Sequence, residues 1–182
     1  MKRISRKFIT VSVLLVIAIL IAIIIYQNYS FMKEKERMLD EFRDATSYNL
    51  MRLNDNIGLV HYLLENNAST DTIKQALYSM MDNAYTLSSV YLRLYGFTKD
   101  IKFWRWHVIF DNIFVYASDL VGDMPQDMLN KLRESAETLK ELYSLLKSIR
   151  REYGNDLHLV PDEKIDQIKS LTEKLVKQQI LS

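Results

Sequence analysis

The sequence predicts an all-α fold: one N-terminal transmembrane helix, followed by an antiparallel up-down bundle of four to five helices. Three observations predict it. Residues 8–26 carry no charge. Beyond them, apolar residues recur at spacings of three and four along almost the whole chain, the pattern of helices with one buried face. Among 182 residues there are only 4 glycines and 2 prolines, so breakers are scarce and helices should be long.

The first element is the span. Residues 13–25 are Val, Leu, Ile and Ala throughout. At 1.5 Å rise per residue, a helix over 8–26 covers roughly 28 Å, the thickness of a bilayer core. Lys2, Arg3, Arg6 and Lys7 precede it. The positive-inside tendency then places the N-terminus in the cytoplasm and the rest outside. Tyr26 and Tyr29 fall where an interfacial aromatic belt belongs. No small-x-small cleavage site follows, which argues for an uncleaved anchor over a signal peptide. The expected organisation is a basic cytoplasmic tail at 1–7, the span at 8–26, a stalk at 27–38 and an extracytoplasmic helical bundle at 39–182, in a single-pass protein of the cell membrane.

The first bundle helix is expected over 30–65, continuing the span through the charged stretch 33–37. Its stripe is Leu39, Phe42, Thr46, Leu50, Leu53, Ile57, Val60 and Leu64. The second is expected over 70–95, with Thr70 or Asp71 as cap, Gly96 as stop, and Ile73, Leu77, Met80, Ala84, Leu87, Tyr91 and Leu94 as stripe. The third is expected over 99–121, on Trp106, Phe110, Ile113, Ala117 and Leu120. Residues 103–110 are rich in β-formers, so a short strand competes there; with no partner strand, helix is preferred. The fourth is expected as one helix over 124–153, with Asp123 as cap, Pro125 in the first turn, and Leu129, Leu132, Ala136, Leu139, Tyr143 and Leu146 inward. The fifth opens at Pro161-Asp162-Glu163 and buries Ile165, Ile168, Leu171, Leu175 and Gln179. Short connections favour antiparallel neighbours. The turn at 96–102 and the loop at 155–160 then share the membrane-facing end, and the turns at 66–69 and 122–123 share the other.

Composition narrows the function. Of 24 basic residues four precede the span, leaving 20 against 23 acidic ones; a slightly acidic domain is a poor partner for nucleic acid. The absence of cysteine rules out disulfides, thiolate metal sites and a lipoprotein anchor. No Glu-x-x-His, His-Glu-x-x-His, Gly-x-Ser-x-Gly or glycine-rich phosphate loop occurs. The sequence therefore predicts no catalytic residues, no metal ligands and no cofactor. His61 with Glu65, and His107 with Asp111, read as ordinary i,i+4 pairs. Ser88-Ser89 reads as a helix-face pair.

Aromatics are the densest unusual feature. The residues singled out as ligand-binding or membrane-facing are Tyr95, Phe97, Lys102, Phe103, Trp104, Arg105 and Trp106. Aromatic and basic groups together suit either a binding pocket or the headgroup zone; most such rings in a helical hairpin are core. On the first helix, Met38, Ala45, Leu59, Tyr62 and Leu63 form a partial second stripe, the expected face for self-association as a coiled-coil-like or homodimeric contact. Asn67 in the tripeptide Asn67-Ala68-Ser69 is the better of two glycosylation candidates, since Asn28 lies too near the membrane. The expected partners are thus the lipid bilayer and a protein, a second copy included. The expected function is a non-enzymatic interaction or scaffold protein on the extracytoplasmic face. The alternative is a ligand-binding or sensory accessory module with an aromatic-lined cavity in the bundle.

Overall fold

The computed structural model describes residues 6–121 and 126–180. It is all-α, with no strand among the described residues: α1 Arg6–Glu65, α2 Thr70–Thr98, α3 Ile101–Val121, α4 Gln126–Glu134, α5 Ala136–Tyr153, a 3₁₀ turn Leu157–Leu159, and α6 Asp162–Ile180. The competing strand at 103–110 is thereby settled as helix. The chain divides into two compact units, Met1–Glu41 and Phe42–Ser182.

In the first unit, α1 is long and apolar enough to cross a membrane. Every described side chain from residue 11 to residue 34 is exposed. The charged stretch after it pairs locally, Arg37 reaching Glu34 at 2.6 Å.

In the second unit the predicted stripes bury. Leu50, Leu53, Ile57, Val60 and Leu64 of α1 are within the core, as are all seven stripe positions of α2 and all five of α3. Packing directions follow from who touches whom. Along α1, Ser47 receives a hydrogen bond from Asn155 (2.8 Å), Gly58 lies under the Tyr143 ring, and Asn67 just past its end receives one from Arg133 (3.0 Å). The partner numbers fall as the α1 numbers rise, so α1 and the α4–α5 segment run antiparallel. The pairs Tyr85–Phe114 and Tyr95–Trp104 show the same for α2 and α3. In contrast, Arg105 meets Asp162 and Asn112 meets Thr172. Both numbers rise together, so α3 and α6 are parallel.

Four local expectations need correction. Helix α2 is capped by Ser69, whose hydroxyl accepts from the Thr72 N–H at 3.3 Å, not by Thr70 or Asp71. It runs past Gly96 to Thr98 and ends in the left-handed turn of Lys99 (φ 58°), whose N–H donates to the Tyr95 carbonyl. A glycine stops a helix only where the backbone needs positive φ, and Gly96 is helical. Helix α3 begins at Ile101 rather than residue 99, because Asp100 caps it, accepting from the Lys102 N–H at 2.9 Å. The expected fourth helix is two. Ser135 breaks it, its N–H shared between the Lys131 and Leu132 carbonyls. The break turns α5 so that Thr138, Leu139, Leu142, Leu146 and Ile149 face inward, while Ala136 and Tyr143 are only half-buried. The expected cap Asp123 and Pro125 lie outside the described residues, as does the side chain of Gln179. Ile165, Ile168 and Leu175 of α6 are buried, with Leu171 half-buried.

Candidate functional site

The residues singled out in the sequence converge on one end of the bundle, where the α2–α3 turn meets the 157–160 loop. Arg105 and Trp106 follow Lys102 on α3 by three and four residues, which puts both beside it on one side of the helix. All three hold the segment that follows α5. The Lys102 ammonium donates to the carbonyls of His158 (3.0 Å) and Val160 (3.2 Å). The Trp106 indole N–H donates to the Leu157 carbonyl at 3.0 Å. Arg105, with a side chain only 20% exposed, bridges Asp162 (2.8 Å) and Asp166. A short 3₁₀ turn leaves carbonyls without helical partners; Lys102 supplies those of His158 and Val160, and Trp106 adds a second donor to the Leu157 carbonyl that the Val160 N–H already meets. His158 closes the joint, its ring nitrogen 3.4 Å from the Asp100 carboxylate and its ring tilted against Phe103 at 5.6 Å.

The aromatic set splits in two. Phe103, Trp106, Phe110 and Tyr91 are core: Trp106 and Phe110 are fully buried with rings stacked at 5.7 Å, and Tyr91 lies between Phe103 and Phe110. Tyr95, Trp104 and Phe97 belong to the surface. Trp104 is 39% exposed, with its ring 5.4 Å from Tyr95 and 5.1 Å from His107. Lys99 stands over the Tyr95 ring at 5.8 Å.

His107 corrects another expectation. It does not pair with Asp111 along its helix. Its Nδ1 lies 2.9 Å from the Ser88 hydroxyl and 3.1 Å from the Ser88 carbonyl on α2. Ser88 in turn donates to Asp111 at 3.4 Å. The serine stands between histidine and carboxylate, whereas a nucleophilic triad needs the histidine in the middle. Ser88 is buried, so the trio is a polar seam joining α2 to α3. His61 does pair with Glu65, at 3.4 Å.

On α1, Leu59 and Tyr62 are exposed at 44% and 60%. Met38 and Leu63 are half-buried, and nothing is described for the Ala45 side chain. The stripe reading missed Tyr48 and Met51, which are exposed on the same side of α1; their spacing of three and four to Asp55, Leu59 and Tyr62 was the available signal. Asn67 is exposed in a left-handed turn (φ 51°), its carbonyl oxygen held by Arg133. Sequence reading also missed Ile101 and Leu159, each about 60% exposed beside the Lys102 joint. It missed a shallow groove of about 700 Å³ between α5 and α6, floored by Leu145 and Leu171 and edged by Ser144, Ser148 and Ser170. No periodicity marks a groove made by serines at positions of apparent solvation.

Two further electrostatic features stand out. Burial pushes the Tyr116 hydroxyl far above the ordinary tyrosine range, against a smaller opposing effect of the neighbouring Ser135 side chain. At the α5–α6 junction, Lys164 hydrogen-bonds Glu152, drawing the carboxyl below its usual range and the ammonium above its own. Among the described residues no three metal-capable side chains gather. No family model, curated protein or solved structure matches the chain.

Proposed function

We propose that the chain is a single-pass, membrane-anchored scaffold. Its N-terminus is cytoplasmic, and an up-down helical bundle is presented outside to a protein partner. The observation that carries this reading is the apolar run of α1, whose side chains from residue 11 to residue 25 are all exposed to whatever surrounds the protein. Exposing that much aliphatic surface to water is unfavourable by about 25 cal/mol per Å², so lipid is the medium that suits it. The scaffold reading draws on the second unit: α1 offers Tyr48, Met51, Leu59 and Tyr62 to the outside, and we assign this face to self-association. An enzyme is the weaker reading, because the Ser88–His107–Asp111 cluster has the wrong order. A ligand cavity among the aromatics draws less support too, since Trp106 and Phe110 fill the space between themselves.

The experiment uses the absence of cysteine. Single substitutions Asp71→Cys and Ser5→Cys are treated in intact cells with a membrane-impermeant maleimide. The expected result is labelling at 71 in intact cells and at 5 only after permeabilisation. The reverse pattern, or a chain that washes off the membrane, would overturn the placement.

A further inference from the structure

The side of α2 turned away from the core is not polar throughout. Tyr78, Tyr85 and Leu92 are 52%, 57% and 43% exposed. They stand seven residues apart, so they line one side of the helix over roughly 21 Å. Rings from α3 stand beside that line. Phe114 lies 5.5 Å from Tyr85, and Trp104 lies 5.4 Å from Tyr95. The row therefore borders the outer seam between these two antiparallel helices. Phe114, His107 and Tyr95 are half-buried in the seam, and Trp104 is exposed. Large apolar groups left uncovered along two neighbouring helices mark a contact surface. Anchors at two-turn intervals are what a helix laid alongside would meet.

The charges decide what kind of helix. From residue 75 to residue 92, the one charged residue of α2 is Asp82. From residue 104 to residue 118, α3 has Arg105 and Asp111, with His107 turned to Ser88. Arg105 is taken by Asp162 and Asp166 of α6. Asp82 and Asp111 are exposed, and among the described residues neither has an ion pair. Lys74 and Arg93 flank the row only at its two ends. The middle of this surface is thus aromatic and acidic. A wholly apolar partner would strip water from both carboxylates and leave them without a counter-charge, and an acidic one would be repelled.

We propose that the α2–α3 face of Tyr78, Tyr85, Leu92 and Trp104 docks an amphipathic helix of another protein, one whose apolar stripe is flanked by lysine or arginine. The inference rests on the scaffold reading above, for which it names the partner's chemistry, and does not rest on the anchor. The tyrosines and tryptophan supply the contact that excludes water. Asp82 and Asp111 set the register of the helix and select against acidic ones.

The test puts photoreactive p-benzoylphenylalanine in place of Tyr85, or of Leu59 on α1, in the full chain within the cells that make it. Mass spectrometry then identifies what is joined at each position. The expected product at 85 is a peptide of a different protein, with apolar residues at helical spacing and several lysines or arginines. Asp82→Lys should cut that product about tenfold and leave the melting curve unchanged, because Asp82 is exposed. Asp82→Asn, which removes the charge alone, should cut it in part. A product at 85 with a second copy of the chain or with lipid overturns the proposal, and so does a product that neither Asp82 substitution reduces. Products at 59 with none at 85 remove this inference and leave the scaffold reading standing; none at either position removes both.

Discussion

Tyr116 and Ser135 show at the scale of single residues why part of the fold was hidden. Ser135 is 1% exposed, its hydroxyl bonds the Lys131 carbonyl at 3.2 Å, and its side chain lies beside the buried Tyr116 of α3. A pattern of apolar residues along one helix carries no trace of a tyrosine on another, so the break was invisible. The cap of α2 was nearly visible: Ser69, Thr70 and Asp71 are all cap formers, and only the backbone chose among them. The buried phenol also predicts a pH effect. Its folded pKa is raised, so its contribution is intact below the ordinary tyrosine pKa of about 10 and is lost as pH rises beyond it. Tyr116→Phe removes the titrating hydroxyl and with it this alkaline liability. It should also keep its helicity to higher pH than the parent, read by circular dichroism across an alkaline titration. Trp106→Ala should cost about 3–5 kcal/mol in chemical denaturation, because it removes a fully buried ring and the donor to Leu157.

Between elements, α1 meets α5 closely at one glycine. A Cβ on Gly58 would lie 2.8 Å from the Tyr143 ring. Gly58→Ala therefore combines a helix-propensity gain of about 1 kcal/mol with an overpacking cost of about 1–3 kcal/mol, and should destabilise. In a Tyr143→Ala background the overpacking is gone and the same substitution should stabilise. That reversal of sign, measured by urea unfolding of the four proteins of the cycle, checks the packing directly. The helix stripes were legible because each buries against several neighbours at once; every stripe residue named for α2 is in the core. The seam residues were not, since Gly58 reads as an indifferent helix position until Tyr143 is placed over it. The exposed face of α1 supplies a further prediction. Tyr62→Lys should leave folding intact, because Tyr62 is 60% exposed, yet abolish crosslinking between copies in the membrane if that face joins them.

At the scale of the whole molecule, the long apolar N-terminal helix was the most legible feature, since length and composition suffice to find it; the direction in which it would cross a bilayer rests on the charges before it. Paired substitutions Ile17→Asp and Ile21→Asp, at about 2.5–3.5 kcal/mol each near a bilayer centre, should move the protein from the carbonate-resistant membrane fraction to the supernatant. The bundle end that carries the candidate residues was legible in its membership but not in its roles, because Lys102, Arg105 and Trp106 act on a segment more than fifty positions later. One small mismatch there has a practical use. The backbone turns left-handed at Lys99, while Gly96, three positions earlier, sits in regular helix with nothing within 4 Å of its missing Cβ. The flexible residue and the bend that wants it are out of step. Exchanging them, with Gly96→Ala and Lys99→Gly together, should raise the melting temperature through gains of roughly 1 kcal/mol at each site. A natural chain that leaves so simple an improvement unmade was under no pressure to be as robust as its fold permits.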